Sequence, residues 1–208
     1  MSTLPDTHVK HYQQFKSVIE SRLTDFVHVK PESYFYELCY CLCTPQSKAV
    51  NASKVVEILQ EKQFFECGFN PEEILRDNSH YIRFHNQKSI SLLRARENWC
   101  NIEMIVTDDT IDIMQKRDSL VKHVRGLGMK EASHFLRNIG MFGVAIIDRH
   151  VLKHLVLCGV FREIPRLTSK KDYLTIERQW FDYCYTIGLK QEIVDLLFWS
   201  FETGHVLK

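Results

Sequence analysis

Lys130 and Asp148, eighteen positions apart, are the residues of this 208-residue chain whose types and setting best suit chemistry. Lys130 follows a Gly-x-Gly turn, Gly126-Leu127-Gly128, between two segments of helical pattern. Glycine lets backbone N–H groups approach a phosphate with no Cβ in the way. The N-terminus of the next helix adds the positive end of a dipole. Such a grip holds a nucleic-acid backbone without reading sequence. Taken alone, the turn is equally a tight helix connection closed by a glycine. Lys130 sits in the first turn of that helix, near Arg125, and both influences disfavour its protonated form. A neutral lysine amine is a nucleophile that forms a Schiff base with an aldehyde or its equivalent. Asp148 ends the apolar run Val144-Ala145-Ile146-Ile147 and has the position of a helix N-cap. A capping carboxylate beside an apolar wall can also face a cleft and stabilise positive charge developing on a sugar. A solvated lysine and a purely capping aspartate are the plain alternatives.

Helices must carry these residues, because helical periodicity dominates the chain. His8 to Leu23 places apolar residues at 9, 12, 15, 18, 19 and 23. Pro31 opens a second helix, Glu32 to Cys43. Thr44-Pro45 has the form of an N-cap followed by proline at the first helical position. That helix runs to about Gln63, with Val50, Val55, Ile58 and Leu59 inward. Asn70-Pro71-Glu72-Glu73 starts a short helix by the same signals. Others run from about Asn86 to Asn101 and from about Thr110 to Val124, then near 129–139, 149–158, 169–187 and 190–200. Ser169 and Asp172 have capping-box spacing. The expectation is an all-α fold of about ten helices with no linker, any two lobes sharing a continuous interface and a site in the cleft between them.

A composition of 45% hydrophobic and 25% charged residues is that of a folded globular chain, not a disordered one. No apolar run approaches the roughly 20 residues that span a bilayer, so no membrane association is expected. The start, MSTLPDTHVKHYQQFK, is polar and does not read as a signal peptide. The seven cysteines read as reduced intracellular thiols. Cys39, Cys41 and Cys43 would be metal ligands or small core side chains; i, i+2 spacing splays ligands around a helix and favours the core. Between Lys116 and Arg162 stand nine lysines and arginines against four acids (Glu163 at its edge). That is a net of +5 where the whole chain carries +1. A local basic face on a near-neutral protein suits an enzyme that must grip DNA and let go; a solvated helix surface is the alternative.

Residues 121–155 resemble the helix–hairpin–helix DNA glycosylase superfamily. The likeness lies in Arg125-Gly126-Leu127-Gly128-Met129-Lys130 and in Ile147-Asp148-Arg149-His150-Val151, in order and spacing. The resemblance implies that Lys130 is the nucleophile, Asp148 the essential carboxylate, and Gly126, Gly128, Arg125, Arg149 and His150 contacts to the DNA backbone. It also implies a monovalent cation held by hairpin carbonyls. It divides the single unit 1–208 into a lobe of about 31–140, containing the hairpin at 117–140, and a lobe of about 1–30 plus 141–208, with the active site in the interlobe cleft. Relatives with an iron–sulfur cluster carry a four-cysteine loop near the end of the helical domain. Only Cys158 and Cys184 lie beyond residue 100, so no such cluster and no other cofactor is expected. Alkylbase glycosylases lack the lysine.

The stretch Phe198-Trp199-Ser200-Phe201-Glu202-Thr203-Gly204-His205-Val206-Leu207-Lys208 narrows the likeness to the compact 8-oxoguanine DNA glycosylase/lyase of archaea and some bacteria. In that subfamily a terminal lysine carboxylate contacts the damaged base, here Lys208, and two aromatic rings sandwich it, here Trp199 and Phe84. Chemistry agrees: 8-oxoguanine carries a hydrogen at N7 where guanine is an acceptor, so discrimination needs a fixed acceptor. Leaving that carboxylate unpaired opposite guanine costs about 1–3 kcal/mol or more. The alternatives are a frayed terminus and core aromatics. Gln46, at a helix start, corresponds to a side chain inserted into the duplex gap, or is a plain first-turn residue. Arg83 would contact the cytosine left behind.

The implied activity is excision of 8-oxoguanine from duplex DNA through a lysine Schiff base, with β-elimination cutting the 3′ side. Action on oxidised pyrimidines, or a noncatalytic DNA-binding module, are the alternatives. The expected partner is double-stranded DNA containing oxidised guanine, bound by a monomer in the cytoplasm at the nucleoid, or in the nucleus of a eukaryote.

Overall fold

A computed structural model of the chain describes residues 3–207. The described residues form twelve α-helices and one 3-10 turn, with no strand among them. In chain order they are α1 (Asp6–Val27), the 3-10 turn Pro31–Ser33, α2 (Tyr34–Cys43), α3 (Ala49–Glu61), α4 (Phe64–Cys67), α5 (Glu72–Arg76) and α6 (His85–Glu97). Then come α7 (Trp99–Thr107), α8 (Ile113–His123), α9 (Met129–Asn138), α10 (Arg149–Leu157), α11 (Lys170–Thr186) and α12 (Gln191–Thr203). Two compact units result. One takes the described residues up to His28 and those from Leu136 on; the other is Val29–Phe135. The boundary falls inside α9.

The unit Val29–Phe135 is built around α2. Residues 38–43 of this helix are all buried, and α3 and α6 pack on it. Its three cysteines are fully buried side chains of this core, and burial pushes the Cys43 thiol up to about 12. Among the described residues no group of His, Cys, Asp and Glu could hold a metal ion.

In the other unit α1, α10 and α11 all pack on α12. With neighbours on several sides, α12 buries Val194, Leu196, Leu197 and Phe198 and also the polar Glu192, Asp195 and Ser200. The inner face of α1 runs through His8, Ile19 and Phe26, whereas Val9 and Val18 of the expected stripe are exposed. The face turned because the His8 ring stacks on Phe201 at 4.4 Å and meets His154.

Local signals set most helix starts. The Ser169–Asp172 capping box forms as expected, and a second one, Asp112 with Gln115, starts α8. The reading of Thr44-Pro45 as a helix start is wrong. The Thr44 hydroxyl donates to the Cys41 carbonyl and ends α2, and the next helix starts at Ala49 with Val50 exposed. The long helix expected from Asn86 breaks at Asn98 into α6 and α7.

Candidate active site

The hairpin lies within the unit Val29–Phe135: α8, the turn at 124–128, and the first turns of α9. Leu127, between the glycines, is buried and anchors the turn. Gly126 is left-handed (φ +86°), and a Cβ there would lie 2.9 Å from Ser91 Oγ on α6. Gly128 is not left-handed, and a side chain there would meet only the end of the flexible Glu131 side chain. A Cβ would lie 2.9 Å from Glu131 Oε2, and that carboxylate accepts the Gly128 N–H at 3.3 Å. The second oxygen, Oε1, is 3.1 Å from Lys130 Nζ. The Lys130 side chain is about one-third exposed at 31% and so reachable from solvent. Sequence reasoning passed over Glu131; an acid at the third position of a helix after Gly-x-Gly is its signal.

Helix α6 forms the bed of the hairpin. Arg125 donates to Gln87 Oε1 at 3.1 Å, one turn of α6 before Ser91. Between them Lys88 is buried and donates to the carbonyls of Cys43 (2.7 Å) and Pro45 (2.6 Å) and to Ser47 Oγ (3.2 Å). Burial pushes its ammonium down to about 8, with the positive charge of Lys130 acting the same way. Ser47 Oγ also accepts the Arg83 N–H at 3.0 Å. Lys88 and Ser47 therefore tie the segment carrying Gln46 to the segment carrying Arg83 and Phe84, beside the hairpin. The Arg83 guanidinium sits 4.9 Å over the Phe84 ring, and half of Phe84 is exposed.

Backbone strain marks the same places. Gln46, Gln63 and Phe84 are the non-glycine residues with positive φ among the described residues. Left-handed backbone costs an L-residue on the order of 1 kcal/mol and persists where the surroundings impose it, often at functional sites. Two of the three are candidate site residues.

Asp148 lies in the other unit, with Arg149, His150 and Trp199. Its Oδ1 accepts the N–H groups of His150 (2.8 Å) and Val151 (2.9 Å), as a helix N-cap does. Val144, Ala145 and Ile147 of the apolar run before it are buried without helix or strand partners, so side chains satisfy their backbone. Glu177 accepts the Ala145 N–H at 2.8 Å. The Tyr173 hydroxyl donates to the Ala145 carbonyl (2.6 Å) and accepts the Ile147 N–H (3.1 Å), and Gln191 donates to the Val144 carbonyl. These residues of α11 and α12 aim Asp148, and no local motif announces them. Behind it, burial pushes the Asp195 carboxyl up to about 6, with Asp148 and Glu192 adding like charge and Arg137, 3.8 Å away, opposing them. The Trp199 ring stands edge-on to His150 at 5.7 Å, and its buried indole N–H has no partner among the described residues. Lys208 lies outside the described residues.

The basic face is weaker than the charge count suggested. Lys116, Arg117 and Arg137 are buried, and Arg117 donates to Ser133 to tie α8 to α9. Lys122, Arg125, Arg149, Lys153 and Arg162 remain exposed.

A helix–hairpin–helix with a lysine at its second helix, and an aspartate capping a later one, define a class of DNA glycosylases. The chain belongs to the 8-oxoguanine DNA glycosylase family, whose pattern matches residues 19–189. The 8-oxoguanine DNA glycosylase/AP lyase of Fusobacterium nucleatum subsp. nucleatum is 36% identical over 96% of this chain and 95% of its own. The crystal structure of the 8-oxoguanine DNA glycosylase of Thermotoga maritima superposes with a TM-score of 0.84 at 28% identity, covering 97% of each chain. That of the Methanocaldococcus jannaschii 8-oxoguanine glycosylase/lyase, in complex with a 15mer DNA containing 8-oxoguanine, superposes at 0.83 with 32% identity, covering 96% of this chain and 99% of that one.

Proposed function

We propose that this chain excises 8-oxoguanine from duplex DNA and then cuts the strand as an AP lyase, with Lys130 as nucleophile. The observation that carries the reading is the hairpin, where Lys130, about one-third exposed, stands in the first turn of α9 with its amine on the carboxylate that also accepts the Gly128 N–H. The target base leaves the stack at a cost of a few kcal/mol. Phe84 and Trp199 would stack on it, Gln46 fill the gap, and Arg83 meet the opposite cytosine. Lys208 is assigned to the N7 hydrogen. The Lys130 nitrogen attacks C1′ as the bond to the base breaks, and Asp148 stabilises the cationic sugar. The departing base takes up a proton. The ring-opened Schiff base then loses a C2′ proton, and the C3′–O bond breaks by β-elimination.

Gly126, Gly128, Arg125, Arg149 and His150 would hold the DNA backbone, and the basic side chains left exposed support this. A monovalent cation would be held by backbone carbonyls of the hairpin, which are hard oxygen donors. Such an ion would add positive charge beside a phosphate. No iron–sulfur cluster is required, since only Cys158 and Cys184 lie beyond residue 100. We read the protein as a monomer that works in the cytoplasm at the nucleoid, or in a eukaryotic nucleus. No helix among the described residues is long and apolar enough to cross a membrane.

The test is a panel of duplexes carrying 8-oxoguanine opposite cytosine, guanine, or thymine glycol. Base release and strand cutting at 8-oxoguanine alone support the reading. Cutting only at thymine glycol moves the substrate to oxidised pyrimidines, and binding without cutting indicates a noncatalytic module.

A further inference from the structure

Helix α10 presents His150, Lys153 and His154 on one face, at i, i+3 and i+4. Glu202, in the last turn of α12, meets all three. Its Oε1 is 2.6 Å from Lys153 Nζ and 3.1 Å from His154 Nε2, and its Oε2 is 3.5 Å from His150 Nδ1. His154 Nδ1 lies 2.7 Å from Nε2 of His8 on α1, and His8 Nδ1 lies 3.3 Å from Thr7 Oγ1. His154 stacks on Phe198 at 4.6 Å.

Protonation follows from this geometry. Burial holds both imidazoles below their ordinary range, His154 at about 4, so both rings are neutral. A hydrogen bond from Lys153 holds the Glu202 carboxyl below its usual value, so it is ionised. A carboxylate only accepts. Nε2 of His154 lies 3.1 Å from that carboxylate without a well-aligned hydrogen bond, but a lone pair turned toward an anion is repelled, so Nε2 carries the hydrogen and Nδ1 accepts from His8 Nε2–H. That leaves His8 Nδ1 to accept from Thr7. Geometry places the His150 hydrogen as well: Nδ1 faces the same carboxylate at 3.5 Å, and Nε2 accepts from Arg149 Nε–H at 3.3 Å. One carboxylate sets the hydrogen of each ring in this chain.

His150 also gives its backbone N–H to Asp148 and stands against Trp199. We propose that Glu202 is a positioning residue: it fixes the His150 ring for contact with a DNA phosphate and braces Trp199. The inference rests on the reading of His150 and Trp199 as DNA- and base-contacting residues. Glu202 then acts on capture of the lesion rather than on the chemical step.

Glu202→Gln, His150→Ala and the double variant test this on the 8-oxoguanine duplex. Glu202→Gln should raise KM by up to about fivefold, the worth of one partly exposed charge contact, and leave the single-turnover rate at saturating DNA within about twofold. On the His150→Ala background it should add almost nothing, because the two residues act as one. Additive losses, or an equal fall in rate, would overturn the proposal. Ring-nitrogen NMR of the free wild-type protein gives a second test that no variant can spoil by misfolding. His150 should be protonated at Nδ1 and His154 at Nε2; the opposite tautomer at either ring overturns the assignment. If wild-type protein cuts no lesion, the functional reading fails, and the tautomers still decide whether Glu202 orders the rings.

Discussion

The Lys130 amine lies 3.1 Å from one oxygen of Glu131, and the other oxygen of that carboxylate accepts the Gly128 N–H. The two hairpin groups expected to meet DNA thus share an internal anion in the free protein. A phosphate approaching the Gly128 amide must displace this carboxylate or bear its repulsion. Glu131→Gln should therefore tighten binding to undamaged duplex, by up to about fivefold at low salt, the worth of one partly exposed charge pair. Fluorescence anisotropy at two salt concentrations measures it. Weaker binding by the variant would mean that Glu131 supports the hairpin instead of competing with DNA.

Asp148 both caps α10 and is assigned the sugar cation, and Asp148→Asn separates the roles. Asparagine caps a helix about as well as aspartate, so the melting temperature should hold. Base excision should fall by about 100-fold or more, because the stabilising charge is gone. A variant that melts normally and excises normally would leave Asp148 with capping alone.

Gln46 and Phe84 hold left-handed backbone that glycine adopts without cost. Gln46→Gly and Phe84→Gly should lose little stability or gain some, since relief of strain offsets the added freedom of the unfolded chain. Each should nevertheless weaken binding to the lesion duplex relative to undamaged duplex. Unchanged lesion preference in both would remove them from the site.

The buried Asp195 carboxyl, held up at about 6 against an ordinary 3.8, makes stability depend on pH. Below about 4 it is protonated in both the folded and unfolded states. As pH rises toward 6 the unfolded chain ionises first, so stability from this group is lost, by roughly 3 kcal/mol in full. His154 acts in the opposite sense. Its folded value of about 4 lies below 6.5, so its contribution is lost as pH falls between them. The difference in melting between wild type and Asp195→Asn isolates the aspartate. The wild type should lose ground to the variant from pH 4 to 7, and a flat difference would contradict the shift.

The candidate residues stand out along the chain because their signals are local. Gly126, Gly128, Lys130 and the Asp148 cap lie within or next to one turn of helix, where spacing dictates geometry. The Ser169 capping box is legible for the same reason. Thr44-Pro45 misleads because the preceding helix takes Thr44 as its own end, and Val9 misleads because a histidine found a partner 146 residues away. Glu202, Glu177 and Lys88 act through tertiary partners, and no spacing announces those. Charge counting failed where lysine and arginine turned inward, as Arg117 and Arg137 do.

Borohydride trapping on a duplex with 8-oxoguanine opposite cytosine tests the central claim most directly. Wild-type protein should form a covalent band with that duplex and none with matched guanine. Lys130→Gln should form no band while still binding the lesion. A band of normal intensity from Lys130→Gln would show that another amine attacks the sugar and would contradict the account.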